Sequence, residues 1–94
     1  LVGTPQAPSV FYLRWYIDQA QRYPGAPPLS PQHHELLDLI DTLAADPQLH
    51  LDMAFEPGDI QLLSNHTILH ARTAYEDFDE PERRRHLLRL WLQA

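Results

Sequence analysis

The 94-residue sequence has no cysteine, no lysine, a single methionine and only three glycines. Without cysteine there are no disulfide staples, no zinc-thiolate sites and no thiol nucleophile. Without lysine, every one of the seven side-chain cations is an arginine, whose planar and permanently charged fork suits carboxylates. Genomic codon bias produces the same deficit, so little rests on it. Positive charge is itself scarce: thirteen Asp and Glu outweigh the arginines, and the formal charge is -6 with His neutral. That balance argues against sequence-independent nucleic-acid binding, which depends on neutralising phosphates. No apolar run approaches the roughly 20 residues of a membrane-spanning helix. Nor do these residues contain a basic-then-apolar stretch of the secretory-leader type. The expectation is a cytoplasmic protein with neither nucleic acid nor membrane as a partner.

What is present fits a globular chain: 44% apolar, 21% charged and 10% aromatic residues. At this length there is one small domain or a piece of a larger one, with a thin core. The sequence starts at Leu1 and opens on an apolar, proline-punctuated run. We read residues 1–94 as the C-terminal part of a longer chain, with a strand, loop and helix over 1–48 and β-strands over 49–94.

Six of the nine prolines lie within residues 1–31. Between them, Ser9 to Ile17 is rich in aromatic and β-branched residues and predicts a strand. Tyr23 to Pro28 is a loop. Ser30 as N-cap and Pro31 at the first position open a helix running through Gln32 to Ala45, with Leu36, Leu39, Ile40 and Leu43 as its buried stripe. Leu49, Leu51, Met53 and Phe55 alternate with His50, Asp52 and Ala54 as in a half-buried strand. Glu56-Pro57-Gly58-Asp59 has the residues of a type II turn. Ile60 to Leu63 and Asn65 to Arg72 read as further strands, and Glu76 to Glu82 as an acidic loop. Arg83 to Leu92 reads as a last strand, with Arg85, Leu87, Arg89 and Trp91 on one face and His86, Leu88, Leu90 and Leu92 on the other. The fold class expected is therefore mostly β with one helix.

Six histidines without cysteine point to nitrogen- and oxygen-ligated metal chemistry, such as the two-His-one-carboxylate iron site. His70 stands in a segment that reads as β, where an isolated histidine is more often a satisfied core or rim residue than a ligand. The surrounding pattern shifts that balance. The Pro57-Gly58-Asp59 turn, the step from Asn65 to His70, and the Arg85-x-x-x-Arg89 spacing together resemble the C-terminal half of the taurine dioxygenase-like (TauD/TfdA) family. These are Fe(II)- and 2-oxoglutarate-dependent oxygenases with a double-stranded β-helix, or jelly-roll, fold. The resemblance is strongest over residues 49–92.

The resemblance implies that His70 is the distal iron ligand. It implies that Arg85, fifteen residues on, holds the far carboxylate of the cosubstrate 2-oxoglutarate. It further implies that Arg89 meets an acidic group of the substrate. Fe(II) and O2 would then be required, a small, acidic organic molecule would be hydroxylated, and 2-oxoglutarate would become succinate and CO2. On strand geometry Arg85 and Arg89 share a face about 13 Å apart, and each can fork onto a carboxylate. The alternative for both is a charged surface strand neutralised by the acidic loop. Arg72 is expected in a structural salt bridge, Arg83 and Arg84 in solvent or paired with Glu80 and Glu82, and Asp59 and Asn65 in turn hydrogen bonds.

The family's other two iron ligands form a His-x-Asp or His-x-Glu far upstream of the distal histidine. His50-Leu51-Asp52 matches literally, but it lies too close to His70 for the family's spacing. His33-His34-Glu35 matches on the first turn of the expected helix. We read the true pair as absent from these residues. Two alternatives stay open: a non-catalytic β-rich interaction module or degenerate oxygenase half without iron, and a self-contained metal site of His50, Asp52 and His70. Homo-oligomerisation is also open, because unpaired strand edges invite association.

Overall fold

Pro5 and Gln6 reverse the chain almost at its start. In the computed structural model, which describes residues 2–93, they close an antiparallel hairpin of β1 (Val2–Thr4) and β2 (Ala7–Ser9). Val2 lies opposite Ser9, Gly3 opposite Pro8 and Thr4 opposite Ala7. Pro8 has no N–H to donate, but a two-stranded sheet has only edges and tolerates it. The Thr4 hydroxyl accepts the Ala7 N–H at 3.1 Å. Gly3 takes φ +97°, and a Cβ there would collide with the Ala7 carbonyl oxygen, so this position requires glycine.

The aromatic run expected as one strand divides instead. β2 ends at Ser9, and α1 covers Arg14–Ala20. Strand propensity is a weak prior against specific side-chain contacts. Here Arg14 Nε donates to both carboxylate oxygens of Asp18, at 3.2 and 3.1 Å, four residues later. That contact exists only when the segment is helical.

α2 covers Pro31–Ala44 and starts where its capping residues predict. Ser30 Oγ accepts the His33 N–H, and His33 Nδ1 accepts the Ser30 N–H, each at 3.2 Å. This is a capping box with histidine in the place usually held by Glu or Gln. The buried face differs from the expected stripe. Leu36, Leu39 and Leu43 are exposed and Ile40 is half-buried, whereas Leu37 is the buried residue of the helix. The rotation follows the polar partners. Tyr12 Oη donates to Asp41 Oδ1 at 2.7 Å, and Arg14 Nη1 donates to Asp38 and Asp41 at 2.9 Å each. Residues 37, 38 and 41 fall within about 100° of one another around a helix and lie about 100° to 160° of turn from Leu36.

The expectation of a mostly β chain with one helix, the C-terminal part of a double-stranded β-helix, is overturned. Among the described residues there are two α-helices, one short 3₁₀ helix (Pro81–Arg83) and a single two-stranded sheet, and residues 49–92 contain no strand. Alternation of apolar and polar residues reports only that an extended segment has two unlike faces. A strand also needs a neighbour that pairs its N–H and C=O groups. Here the segments after Leu49 run without one, and Leu51, Ile60, Leu88 and Leu90 are all more than four-fifths exposed. The turns within this region do form. Gly58 has φ +97°, Asp59 N–H donates to the Glu56 carbonyl at 3.0 Å, and Asp59 Oδ2 accepts the Glu56 N–H at 2.9 Å. Asn65 to Thr67, expected inside a strand, also turns, through Thr67 and Ile68 N–H donation to the Ser64 carbonyl at 3.0 and 3.1 Å. One backbone bond, Val10 N–H to the His66 carbonyl at 2.8 Å, ties this region to the end of the hairpin.

Candidate functional site

Glu76 to Glu82 carries five acidic residues and is followed at once by three arginines. Simple charge pairing would neutralise one run with the other. The structure does something different. Asp77 Oδ1 accepts two backbone N–H groups, from Phe78 at 3.0 Å and from Arg85 at 2.9 Å, and so closes the loop on itself. Arg84 donates to the backbone carbonyls of Phe78 and Asp79, at 3.1 and 2.8 Å. Arg83 stacks 3.9 Å from the centre of the Phe78 ring and lies 3.6 Å from Glu80, an exposed pair of little energetic weight. Of the three adjacent arginines, two are used to hold the loop.

The third, Arg85, makes no ion pair among the described residues. Its guanidinium carbon lies 5.2 Å from the centre of the Tyr75 ring. Arg72 approaches the same ring at 4.8 Å and donates weakly to the Thr73 carbonyl at 3.4 Å, in place of the expected salt bridge. The structure thus brings Arg72 and Arg85 together on one aromatic side chain. Arg89 lies four residues further along the chain, exposed and without an ion pair among the described residues.

His70 is exposed. His50 Nε2 lies 3.4 Å from Asp52, and His50 Nδ1 is buried without a hydrogen-bond partner. Nothing joins this pair to His70: among the described residues no three His, Cys, Asp or Glu side chains converge as a metal site. His33 is occupied in the capping box of α2. The donors present therefore supply a single histidine where an iron site needs three protein ligands, and they do not by themselves fit the metal.

Tyr75 and Asp77 hold Arg85 from two directions and are not among the residues expected at the site. The available signal was the Arg72-x-x-Tyr75 spacing beside an acidic loop too rich in carboxylates to need all of them for charge.

The sequence profile described as "Taurine catabolism dioxygenase TauD, TfdA family" matches residues 4–91. Among curated proteins, the chain is 40% identical over 60 residues to a protein named FR-33289 synthase from Streptomyces rubellomurinus, which is 62% of this chain and 18% of that protein. It is 41% identical over 63 residues to a taurine hydroxylase-like protein, SAT17, from Stachybotrys chartarum, covering 67% of this chain and 16% of that one. The matched stretches thus span less than a fifth of either relative's length. No solved structure is significantly similar to the chain. No helix among the described residues is long and apolar enough to cross a membrane. With a family match over nearly its whole length, the chain belongs to the taurine catabolism dioxygenase TauD, TfdA family.

Proposed function

We propose that this chain is the C-terminal part of an oxygenase domain that uses Fe(II) and 2-oxoglutarate to oxidise a small acidic organic molecule. Bound iron supplies the oxygen chemistry of such enzymes. We assign His70 one of its ligand positions, with the others on residues outside this chain, since no second donor joins His70 among the described residues. The chain's own contribution is to bind and orient two anions. Arg85 holds the far carboxylate of 2-oxoglutarate, and Arg89 takes the acidic group of the substrate.

One observation carries this reading. Arg85 follows five acidic residues, yet its guanidinium meets no carboxylate among the described residues, while its backbone N–H is taken by Asp77. An arginine fork left open in so acidic a neighbourhood is available to a carboxylate from outside. Family membership and the taurine hydroxylase-like relative support the same class of chemistry.

The test is kinetic, on the full-length protein. Arg85→Gln is expected to raise the 2-oxoglutarate KM by about tenfold or more, the usual consequence of removing one partner of a charge-assisted pair. Arg89→Ala is expected to raise the KM of the oxidised substrate far more than that of 2-oxoglutarate. Equal effects of Arg89→Ala on both would remove that assignment. Loss of stoichiometric iron in His70→Ala is expected too; unchanged iron content would favour a module without a metal role at this residue.

A further inference from the structure

We propose that Tyr75 is a positioning residue for Arg85, its ring holding the guanidinium ready for an incoming carboxylate. The inference rests on the assignment of Arg85 to 2-oxoglutarate and adds to it the device that prepares the arginine. The guanidinium carbons of Arg85 and Arg72 lie 5.2 and 4.8 Å from the centre of the Tyr75 ring, both within cation–π range. Asp77 fixes the other end of Arg85 by accepting its backbone N–H at 2.9 Å. An arginine side chain free in solvent samples many rotamers, and ordering it is a cost that ligand binding must meet. Contact with a ring reduces that cost beforehand. It uses the charge of the guanidinium and none of its N–H donors, so the fork stays open for a carboxylate. Arg72 strengthens the effect, because a second cation on the same ring, also without an ion pair among the described residues, favours an anion there.

The experiment measures 2-oxoglutarate affinity by titration calorimetry on the full-length protein, alongside KM values for both substrates. Tyr75→Leu is expected to weaken 2-oxoglutarate binding about twofold to fivefold, the range of an exposed cation–π contact, while the KM of the oxidised substrate stays at its original value. Tyr75→Phe, which keeps the ring, is expected to restore wild-type affinity. Wild-type affinity in Tyr75→Leu overturns the proposal. So does a Tyr75→Phe protein as weak as Tyr75→Leu, or equal weakening toward both substrates. Arg85→Gln separates the two levels: wild-type affinity there removes the assignment of Arg85 itself, whereas a loss in Arg85→Gln with none in Tyr75→Leu removes only the role of Tyr75. Should Tyr75→Leu fail to fold, Tyr75→Met removes the ring while keeping an apolar side chain there, and unchanged 2-oxoglutarate affinity in it overturns the proposal.

Discussion

Arg14 contacts three carboxylates at once, Asp18 on its own helix and Asp38 and Asp41 on α2, at 3.1, 2.9 and 2.9 Å. These charge-assisted bonds raise the already high pKa of its guanidinium, with Asp38 the largest contributor and Asp18 next. A raised arginine pKa adds nothing to pH dependence in the working range, because the group is charged throughout. Tyr12 beside it does titrate. Partial burial first, and its hydrogen bond to Asp41 second, hold its hydroxyl above the ordinary value of 10.0, with Arg14 opposing. A phenol whose folded pKa is raised contributes stability that is complete below its unfolded pKa and is lost as pH rises through the folded one. Melting temperature should therefore hold steady to about pH 10 and then fall, and Tyr12→Phe should fall less steeply over the same interval. Parallel curves for the two proteins would show that the bond to Asp41 has no such role.

At the scale of elements, α2 is the best-defined piece, and its start depends on Ser30. The hydroxyl satisfies one of the four N–H groups that no helix can pair internally. Ser30→Ala should cost about 1 kcal/mol, and Ser30→Asp, which can accept the same His33 N–H, should recover most of it. Urea unfolding followed by helical circular dichroism measures both; equal stability of all three proteins would mean that the cap is dispensable. The loop from Tyr75 to Arg85 is held differently, by one carboxylate on two backbone N–H groups, by Arg84 on the Phe78 and Asp79 carbonyls and by the stacking of Arg83 on Phe78. It owes little to ion pairing, so its arginines are divided between holding the loop and meeting a ligand.

On the scale of the whole molecule, the 94 residues are expanded. The radius of gyration is 16.9 Å, against about 12 Å for a compact domain of this length. The accessible surface is 9366 Å², against about 5,600 Å² for a folded monomer of this mass. Large apolar residues from Leu49 to Leu92 account for much of the excess, including Met53, Leu62, Trp91 and Leu92. Exposed apolar surface on this scale seeks cover. The 94-residue chain by itself is expected to bind a hydrophobic dye such as ANS and to sediment with a concentration-dependent mass above 10.9 kDa. A dye-silent monomer at every concentration would contradict this.

What the sequence determined by itself was local. Ser30 and Pro31 set the start of α2, and Pro57-Gly58-Asp59 set a turn, because caps and turns are made by side chains acting on backbone a few residues away. The pattern around His70, Arg85 and Arg89 also pointed to the family that the profile match shows. Tertiary structure decided the rest. Ser9 to Ile17 looked like a strand until Arg14 found Asp18, Asp38 and Asp41, and the same contacts turned Leu37 rather than Leu36 toward the core. Alternation from Leu49 to Phe55 and from Arg85 to Leu92 could not specify a sheet, because pairing belongs to two segments and neither sequence names its partner. For the same reason composition could not show which arginine stays open. Arg83, Arg84 and Arg85 are chemically identical in sequence, and only the folded loop separates the two that hold it from the one that does not.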